Sequence, residues 1–517
     1  MYRQFFFNES TDKLKHVVSA TEYFSDKILG YDNLFRRNTA RKILLNIILS
    51  VGIFFIKVLE KIIGTKLYVS NNLREFFAID PRIRKLILFL LKKNIISSWA
   101  RLPCAPDQPP IVYYSLYFKP IRLSSGNSYT LQGSAAGGSG ETSNKALIPT
   151  IAEAFERYSA SKWDPRDIIR GSFNELRSRG AVDPRIFNFF TEKQRYGKEF
   201  FKFRFDDIHS RKMGWVRSKS LSGASCLIPA ELVYIFYQNE HPQEPCFWET
   251  TTNGVAAATS FEEAAYKAIC EAIERDSFFV FWLNKIAPPQ INLENISIPE
   301  VKEKIALFKK YNLNPLLLDI TTDLEVPAVA LFIIDHIGEV AVSFSAAADF
   351  NIDVAIKKVF YTTGIRLQIP VSQAEKDTIK KKYSDIKNIE DRRVLWSRKE
   401  MLPQLDFFLQ GEKKPFIKKV IPFFQKNSSA LNNLNFLKSV LKKKGYACYL
   451  ADITSLETRH VGLKVVRAIM PALVPLYFDE EKKYLGVQRI YTAPVDMGYY
   501  SAPREKNDLN DTPHPFL

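Results

Sequence analysis

The sequence predicts a mixed α/β, or α+β, body that follows a basic helical extension. Candidate strands and helices succeed one another after residue 110 without a strict strand–helix–strand alternation, whereas the first hundred residues have helical patterns. Hydrophobic residues make up 46% of the chain and charged residues 25%, which is typical of globular proteins and excludes a disordered or fibrous chain. A length of 517 residues favours two or three structural units.

The extension covers residues 1–105, and two apolar stretches predict its helices. The first stretch, 43–56, is an uncharged run of fourteen residues between Lys42 and Lys57, and the second is the amphipathic segment 83–96. A helix that crosses a bilayer needs about 20 apolar residues. We therefore expect a buried or partner-facing helix, and no membrane contact of this extension.

Positive charge is concentrated in the same part of the chain. The whole chain carries 73 Lys and Arg against 56 Asp and Glu, a net charge of +17. Residues 1–100 hold seventeen of the basic and eight of the acidic residues, so nine of the seventeen net charges lie there. Such a surplus favours an anionic partner. We expect no nucleic acid, because the aromatic residues lie within strand and helix patterns rather than in a base-stacking pattern.

The five cysteines indicate a reducing compartment. They are spread along the chain without a CxxC pair, which argues against a disulfide framework and against a cysteine zinc site. No basic segment leads into a long apolar stretch near residue 1. The expected location is therefore the cytoplasm.

Four prolines between residues 103 and 110 mark a linker to the body, which we place at 106–517. Apolar runs predict strands at 111–118, 316–320, 328–334 and 465–469. Helical patterns cover 148–162, 261–283, 299–311, 352–366 and 428–444. The irregular order of these elements is the reason for the α+β prediction.

A short internal repeat singles out two of these helices. Residues 153–159 have the sequence Glu-Ala-Phe-Glu-Arg-Tyr-Ser, and residues 271–277 have the sequence Glu-Ala-Ile-Glu-Arg-Asp-Ser. Each segment follows a stretch of small residues, at 133–140 in the first case and at 253–258 in the second. This shared context distinguishes the repeat from a chance similarity.

The acidic residues of the repeat predict a metal site. At about 100° per residue, Glu263, Glu271 and Glu274 fall within about 80° of one another on a helix. Glu153 and Glu156 are neighbours at i and i+3. Clustered carboxylates destabilise a helix unless cations compensate them. Mg²⁺ is the expected cation, because it takes hard oxygen ligands and is commonly shared with substrate phosphates.

Arg157 and Arg275 follow the glutamates in the two segments, and they would contact phosphate or hold the carboxylates in place. The alternative is a pair of solvated helix faces, stabilised by ion pairs between residues four apart. The matching small-residue stretches favour the metal site.

From about residue 111 to residue 517 the chain resembles the YcaO family, in particular the D cyclodehydratase component of systems that make thiazole- and oxazole-modified peptides. The strongest similarity covers 252–257 and continues through Glu263 to 271–276. Further similar segments are 228–234, 452–454, 465–471 and 512–517. The resemblance implies a YcaO-like fold for the α+β body.

The resemblance also implies that ATP and Mg²⁺ bind between the two helices of the repeat. The implied Mg²⁺ ligands are Glu153, Glu156, Glu263, Glu271 and Glu274. The implied ATP contacts are Glu153, Arg157, Glu263 and Arg275. In the family a proline-rich C-terminal tail reaches the active site, which implies catalytic roles for Pro513, Pro515 and Leu517. An unstructured chain end is the alternative for this tail.

The implied reaction is ATP-dependent cyclodehydration of a ribosomally made precursor peptide, as in bacteriocin biosynthesis. A Cys, Ser or Thr side chain attacks the preceding amide carbonyl, ATP phosphorylates the amide oxygen, and phosphate leaves to give an azoline. Phosphorylation thus converts a poor leaving group into a good one. The implied partners are the precursor peptide and an E1-like, leader-binding C protein supplied in trans. A flavin dehydrogenase that oxidises azolines and a homodimer are further options.

Departures from the family pattern leave alternatives open. Ser139 stands where relatives commonly have lysine, and Pro149 stands where they often have serine, in the expected first turn of a helix. Lys358 and Thr362 fall near a family arginine and glutamate, which removes a carboxylate. A non-catalytic scaffold or peptide-binding subunit is therefore one alternative. A thioamide-forming YcaO enzyme is another, which the retained tail makes less expected.

Overall fold

A computed structural model describes residues 75–516 of the chain, apart from several gaps. The gaps are at 77, 105–107, 123–125, 130–134, 197–204, 248–250, 339, 364–370, 373–374, 376, 378–381 and 416–428. The predicted helix at 43–56 and the predicted catalytic residue Leu517 lie outside the described residues.

The chain divides into two compact units, 1–79 and 80–517, and every element described below belongs to the second. That unit begins with a helix and a strand, which lie in the sequence region 80–105. The division at residue 105 into an extension and a catalytic domain stays a prediction.

Short strands make up the sheets of the second unit. In chain order the described strands are β1 (Ile96–Arg101), β2 (Val112–Phe118), β3 (Ile121–Arg122), β4 (Ser128–Tyr129), β5 (Ala135–Gly140), β6 (Ile169–Gly171), β7 (Met213–Ser220), β8 (Ser225–Pro229), β9 (Val255–Ala258), β10 (Gln290–Ile291), β11 (Asn314–Asp319), β12 (Ala328–Ile334), β13 (Val342–Ala348), β14 (Lys413–Lys414), β15 (Tyr449–Asp452) and β16 (Lys464–Ile469).

Helices alternate irregularly with these strands. The described α-helices are α1 (Pro81–Lys92), α2 (Ser143–Ala160), α3 (Phe173–Leu176), α4 (Glu192–Tyr196), α5 (Tyr237–Glu240), α6 (Phe261–Leu283), α7 (Pro299–Lys310), α8 (Ile352–Thr362), α9 (Ile389–Trp396), α10 (Asp406–Leu409), α11 (Ala430–Lys443), α12 (Leu456–His460) and α13 (Arg489–Asp496).

The strands form three sheets and a separate hairpin within the described part of the chain. The order of the three-stranded sheet is β1-β2-β5, and that of the five-stranded sheet is β13-β12-β11-β10-β14. The six-stranded sheet has the order β6-β7-β15-β16-β9, with β8 also paired to β7, and β3 pairs with β4. Nearly all of these pairs are antiparallel, β10 with β14 being parallel. The α+β prediction is therefore confirmed.

Most of the predicted elements occur within two residues of their predicted bounds. The strands expected at 111–118 and 465–469 are β2 and β16, and the helix expected at 261–283 is α6. The segment 83–96 is a helix only as far as Lys92, and the strand β1 begins at Ile96.

Helix α2 begins earlier than the sequence predicts. It starts at Ser143 rather than at residue 148, because the hydroxyl of Thr142 caps it by accepting a hydrogen bond from the backbone N–H of Lys145 at 3.3 Å. Pro149 is thus the seventh residue of the helix, and its predicted place in the first turn is wrong. The helix continues through this proline, although a proline has no N–H to donate to the carbonyl of Lys145.

The two helices of the repeat share one sheet. Helix α6 contacts β9 and β16 of the six-stranded sheet on one side and β12 and β13 of the five-stranded sheet on the other. Seventeen of its 23 residues are buried, as expected of a helix enclosed between two sheets. Helix α2 contacts β2 and β5 of the three-stranded sheet together with β9 and β16. Strands β9 and β16 therefore bring α2 and α6 together.

Within the described part of the chain, no helix is both long enough and apolar enough to span a bilayer.

Gly254, which immediately precedes β9, offers a test of this arrangement. Its φ is +73°, and an added Cβ would lie 2.6 Å from the carbonyl oxygen of Ala468 in β16. We expect Gly254→Ala to lower the free energy of unfolding by about 2–4 kcal/mol, through backbone strain and this contact. Urea unfolding followed by circular dichroism measures the change.

Gly223 supplies the matched control, because its φ is +90° and nothing lies within 4 Å of an added Cβ. Gly223→Ala should cost only the backbone strain, about 1 kcal/mol. Equal losses in the two variants would contradict the close approach of Gly254 to β16.

Candidate active site

Small residues in β5 and β9 let the helices of the repeat pack closely on the sheets. An added Cβ on Gly138 would lie 2.6 Å from Thr150 Oγ1 and 2.9 Å from the backbone of Ala146 in α2. Strand β9 is Val-Ala-Ala-Ala, and all four residues are buried. Helix α6 starts at the next turn, where the Ser260 hydroxyl accepts a hydrogen bond from the N–H of Glu263 at 3.2 Å.

Glu153 connects α2 to β5. One carboxylate oxygen accepts a hydrogen bond from the backbone N–H of Gly137 at 2.8 Å, and the other pairs with Arg157 at 2.7 Å. Both side chains are half-buried. The glutamate and arginine of the first repeat segment thus form an i, i+4 ion pair at the end of the small-residue stretch.

In the second repeat segment the glutamate is more deeply buried and also pairs with a residue of a third helix. The side chain of Glu274 is 2% exposed and pairs with Arg275 at 2.6 Å and with Lys358 of α8 at 3.1 Å. Arg275 also pairs with Glu271 at 3.3 Å. The guanidinium of Arg275 therefore bridges two glutamates, and Lys358 links them to a third helix.

Glu156 lies among the other carboxylates. Its enclosure by protein, together with the nearby charges of Glu271 and Glu153, raises its pKa well above the ordinary value. Burial also raises the pKa of Glu271, against the opposing effect of Arg275. The charge of Glu274 raises the pKa of Lys358. The structure thus brings four glutamates of the repeat into one electrostatic cluster.

This cluster, which consists of Glu153, Glu156, Glu271 and Glu274 with Arg157, Arg275 and Lys358, has four acids against three bases. Burial is the main cause of the raised pKa values of Glu156 and Glu271, and neighbouring carboxylates add to it. The Nε atom of Arg275 is buried and has no hydrogen-bond partner within the described residues. Oxygen donors with surplus negative charge, beside cationic side chains, fit a divalent cation shared with phosphate oxygens.

Across the described residues, no three acidic, histidine or cysteine side chains lie together in an arrangement that could by itself hold a metal ion. Arg157 and Arg275 contact the carboxylate oxygens instead. A metal bound here would therefore take part of its coordination from phosphate rather than from the protein alone, which is the usual mode for Mg²⁺.

Glu263 shares the stripe of the other α6 glutamates but lies apart from the cluster. It precedes Glu271 by eight residues, about 12 Å along the helix axis. Its carboxylate pairs with Lys267 at 2.7 Å and accepts a hydrogen bond from Thr259 Oγ1 at 3.0 Å. Its role towards ATP and Mg²⁺ stays a prediction.

The C-terminal tail is an ordered part of the interior. Pro513 and Pro515 are buried, and the indole N–H of Trp396 donates to the carbonyl of Pro513 at 3.0 Å. The Arg275 guanidinium lies over the ring of Phe516, 4.1 Å from its centroid. The alternative of an unstructured end is wrong for residues 512–516, and the tail reaches the cluster.

Ser139 and Thr362, which differ from the family pattern, make hydrogen bonds within the protein. The Ser139 hydroxyl donates to the carbonyl of Tyr361 in α8 at 2.6 Å, so it links β5 to α8. The Thr362 hydroxyl donates to the carbonyl of Lys358 at 2.9 Å. Neither side chain adds charge to the cluster.

Sequence reasoning missed several contacts of the tail. Phe516 is the aromatic partner of Arg275, and Arg392 and Trp396 of α9 hold the tail carbonyls. The aromatic residue within the proline-rich tail was a local signal for the first of these. Nothing in the sequence around α9 distinguishes its arginine and tryptophan from ordinary core residues.

A family model described as YcaO cyclodehydratase, ATP- and Mg²⁺-binding, matches residues 137–474, which is more than half of the chain. The chain belongs to the YcaO family. The matched part runs from β5 to beyond β16 and includes α2, α6 and α8. The predicted cofactors of this YcaO protein, ATP and Mg²⁺, are confirmed by the family to which it belongs.

The chain is also similar to curated proteins and to solved structures. An uncharacterized protein of Methanothermobacter thermautotrophicus is 22% identical over 351 residues, which are 67% of this chain and 83% of that protein. A heterocyclase solved in complex with substrate and cofactor has a TM-score of 0.65 at 22% identity and covers 83% of this chain. This chain spans 57% of that heterocyclase.

The YcaO protein of Methanopyrus kandleri, solved with AMPPCP and Mg²⁺, has a TM-score of 0.51 at 16% identity. It covers 78% of this chain, and the match spans 93% of its own length. At these identities the likeness shows a common fold, and the predicted YcaO-like fold is confirmed.

The raised carboxyl pKa values predict that Mg²⁺ binding releases protons. A carboxyl group whose pKa is raised in the metal-free protein holds a proton above its ordinary pKa, and a bound cation lowers that pKa. Calorimetry of Mg²⁺·ATP binding at about pH 6, in buffers of different ionisation enthalpy, measures the number released. We expect proton release in the unaltered chain, less release at higher pH, and a reduced number in Glu156→Gln.

Glu294→Gln serves as the comparison, because Glu294 is exposed and does not belong to the cluster. That variant should release as many protons as the unaltered chain. Equal proton release by Glu156→Gln and the unaltered chain would contradict the assignment to Glu156.

Proposed function

We propose that this YcaO protein catalyses the ATP-dependent cyclodehydration of Cys, Ser or Thr residues in a ribosomally made precursor peptide. The observation that carries the proposal is the cluster of glutamates and arginines on two repeated helices, with the C-terminal tail packed against it. The family description, a cyclodehydratase that binds ATP and Mg²⁺, supports the same reaction class.

The Mg²⁺ ligands in this proposal are the four clustered glutamates together with Glu263. When bound, Mg²⁺ and ATP supply a phosphoryl group to the backbone amide oxygen and so make it a leaving group. The carboxylates would hold the cation between the last turns of α2 and the middle of α6, where the two repeat segments lie. Several carboxylate oxygens that lie together would attract a divalent cation there.

Arg157 and Arg275 are the proposed phosphate contacts, together with Glu153 and Glu263 at the nucleotide. Each arginine is fixed by a glutamate four residues before it, at 2.7 and 3.3 Å. Fixed guanidinium groups stabilise the charge that develops on phosphate oxygens without a reorganisation during the reaction. Lys358 adds a third cation, in place of the family arginine.

The tail residues Pro513, Pro515 and Leu517 are the proposed catalytic residues. Prolines fix the backbone of the tail, and their carbonyls accept hydrogen bonds while their nitrogens donate none. Such a segment does not join a sheet edge. It keeps a constant path past Arg275 towards the substrate.

The proposed partners are the precursor peptide and an E1-like, leader-binding protein that acts in trans. A flavin dehydrogenase and a homodimer stay predictions, as do the docking role of residues 1–105 and the cytoplasmic location. Production of a thiazole- or oxazole-modified peptide of the bacteriocin class is the biological role that this reaction would serve.

A non-catalytic, peptide-binding subunit is the second candidate function. Ser139 and Thr362 favour it, since both hydroxyls serve internal hydrogen bonds and neither supplies the charge that the family pattern has there. A chain with weakened phosphate contacts would still present the peptide to a catalytic partner.

The decisive measurement is the mass of a precursor peptide incubated with the chain, the leader-binding protein and Mg²⁺·ATP. We expect a loss of roughly 18 Da, one water, for each modified residue, and only in the presence of ATP. A gain of roughly 16 Da that requires sulfide would identify a thioamide-forming enzyme instead. Absence of any ATP-dependent mass change would refute catalysis, and intact peptide binding would then favour the second candidate.

Variants of the cluster test the site itself. Glu271→Gln and Glu274→Gln should each lower the rate of water loss by about 100-fold or more, because each removes negative charge that holds the cation. Glu294→Gln is the matched control, since Glu294 is exposed and does not belong to the cluster. Thermal unfolding of all three variants separates loss of activity from loss of structure, and activity near the unaltered level in both cluster variants would exclude this site.

A further inference from the structure

Three consecutive backbone carbonyls of the tail each accept a hydrogen bond from a buried side chain. The donors come from two different helices, α6 and α9. The pairs are Trp282 Nε1 with the carbonyl of Thr512 at 3.1 Å, Trp396 Nε1 with that of Pro513 at 3.0 Å, and Arg392 Nη1 with that of His514 at 3.2 Å. None of the three donor residues is more than 2% exposed.

The sequence of the tail explains why its carbonyls are the groups that are bound. Pro513 and Pro515 have no backbone N–H, so the tail cannot pair as a strand. A proline carbonyl remains a full acceptor, and a buried acceptor without a donor destabilises the folded chain. Indole and guanidinium N–H groups are the donors that reach into such a buried segment.

Arg392 is itself rigidly held. Its Nε and Nη2 atoms donate to the carbonyl of Phe478 at 3.1 and 2.8 Å, and its guanidinium also pairs with Glu480. The ring of His514 adds a further anchor, because its Nε2 atom contacts the carbonyl of Tyr477 at 2.7 Å. The tail is thus tied to the segment 477–480 as well as to the two helices.

Phe516 connects the tail to the cluster. Its ring packs edge-on against Phe278 and Phe344, with centroids 5.3 and 5.0 Å apart, and the Arg275 guanidinium lies 4.1 Å from its centroid. Arg275 in turn bridges Glu271 and Glu274. Direct contacts therefore run from the three donors through the tail to the arginine that joins the two glutamates.

We propose that Trp282, Trp396 and Arg392 are positioning residues for Arg275, acting through the tail and the ring of Phe516. The inference rests on the proposed function, in which Arg275 contacts nucleotide phosphate. A tail that were merely a piece of core would stabilise the fold without affecting the nucleotide. Affinity for Mg²⁺·nucleotide therefore distinguishes a positioning role from a structural one.

Trp396→Phe removes the hydrogen bond to Pro513 and keeps an aromatic ring in place. Trp215→Phe is the matched control, because Trp215 is also fully buried and its Nε1 donates to the backbone carbonyl of Gly171 at 2.9 Å, in the six-stranded sheet. Both variants should lose thermal stability. Only Trp396→Phe should weaken the binding of AMPPCP with Mg²⁺, by about fivefold, in calorimetry on the full chain.

Hydrogen exchange supplies a second readout that needs no activity. Peptides covering residues 509–516 should exchange faster in Trp396→Phe than in Trp215→Phe or the unaltered chain. Faster exchange without a change in nucleotide affinity would show that the tail contacts are structural only, and would overturn the positioning role.

A double-mutant cycle tests the path through the ring. Phe516→Leu removes the aromatic face, Phe516→Tyr keeps it, and Arg275→Lys alters the cation that lies over it. We expect Phe516→Tyr to bind AMPPCP nearly as well as the unaltered chain. Phe516→Leu should weaken binding in the unaltered background and have little further effect beside Arg275→Lys.

The outcomes separate this inference from the proposed function. If the unaltered chain binds AMPPCP and the Trp396 and Trp215 variants bind it equally well, the positioning role is wrong while the proposed function stands. Additive effects of Phe516→Leu and Arg275→Lys would also overturn it. If the unaltered chain does not bind the nucleotide at all, the proposed function and the inference both fail.

Discussion

The site depends on the clustering of carboxylates that are at least partly removed from solvent. Four glutamates on α2 and α6 lie beside three cationic side chains, and burial raises the pKa of Glu156 and Glu271. Much of the surrounding structure serves to hold these groups together. Alanine and glycine in β5 and β9 let the helices approach the sheets, Lys358 reaches in from α8, and Arg275 is shared between two carboxylates and an aromatic ring. In the proposed site, a divalent cation would offset the charge of these carboxylates.

The site joins parts of the chain that belong to different layers. Helix α6 is enclosed by two sheets, α2 by the three-stranded and six-stranded sheets, and α8 lies against the five-stranded sheet and β5. Helices α2, α6 and α8 each supply charged side chains to the cluster. Because the glutamates come from helices rather than loops, their spacing is set by helix geometry and by the packing of β9 and β16. Rigid elements of this kind favour the fixed charges that phosphoryl transfer requires.

The sequence predicted what depends on local periodicity. The stripe of Glu271 and Glu274, and the i, i+3 pair of Glu153 and Glu156, follow from helix geometry alone. The predicted start of α2 was wrong, because Pro149 suggested a helix boundary whereas the hydroxyl of Thr142 caps the helix earlier in the chain. The tail contacts could not be predicted, since Trp282 and Thr512 lie 230 positions apart and no pattern relates them. Glu263 lies on the same side of α6 as Glu271 and Glu274, but it is about 12 Å away from Glu271 along the helix axis.

The buried path of the tail has a consequence for the order of events during synthesis. Contacts between residues so far apart in sequence form late, since long loops must close before such contacts contribute. The aromatic ring that packs on Arg275 belongs to Phe516. During synthesis, the glutamates of the cluster are therefore made long before this ring. A partly synthesised chain would therefore expose the charged cluster to solvent. The tail, although distant in sequence from both helices of the repeat, completes the interior around the cluster.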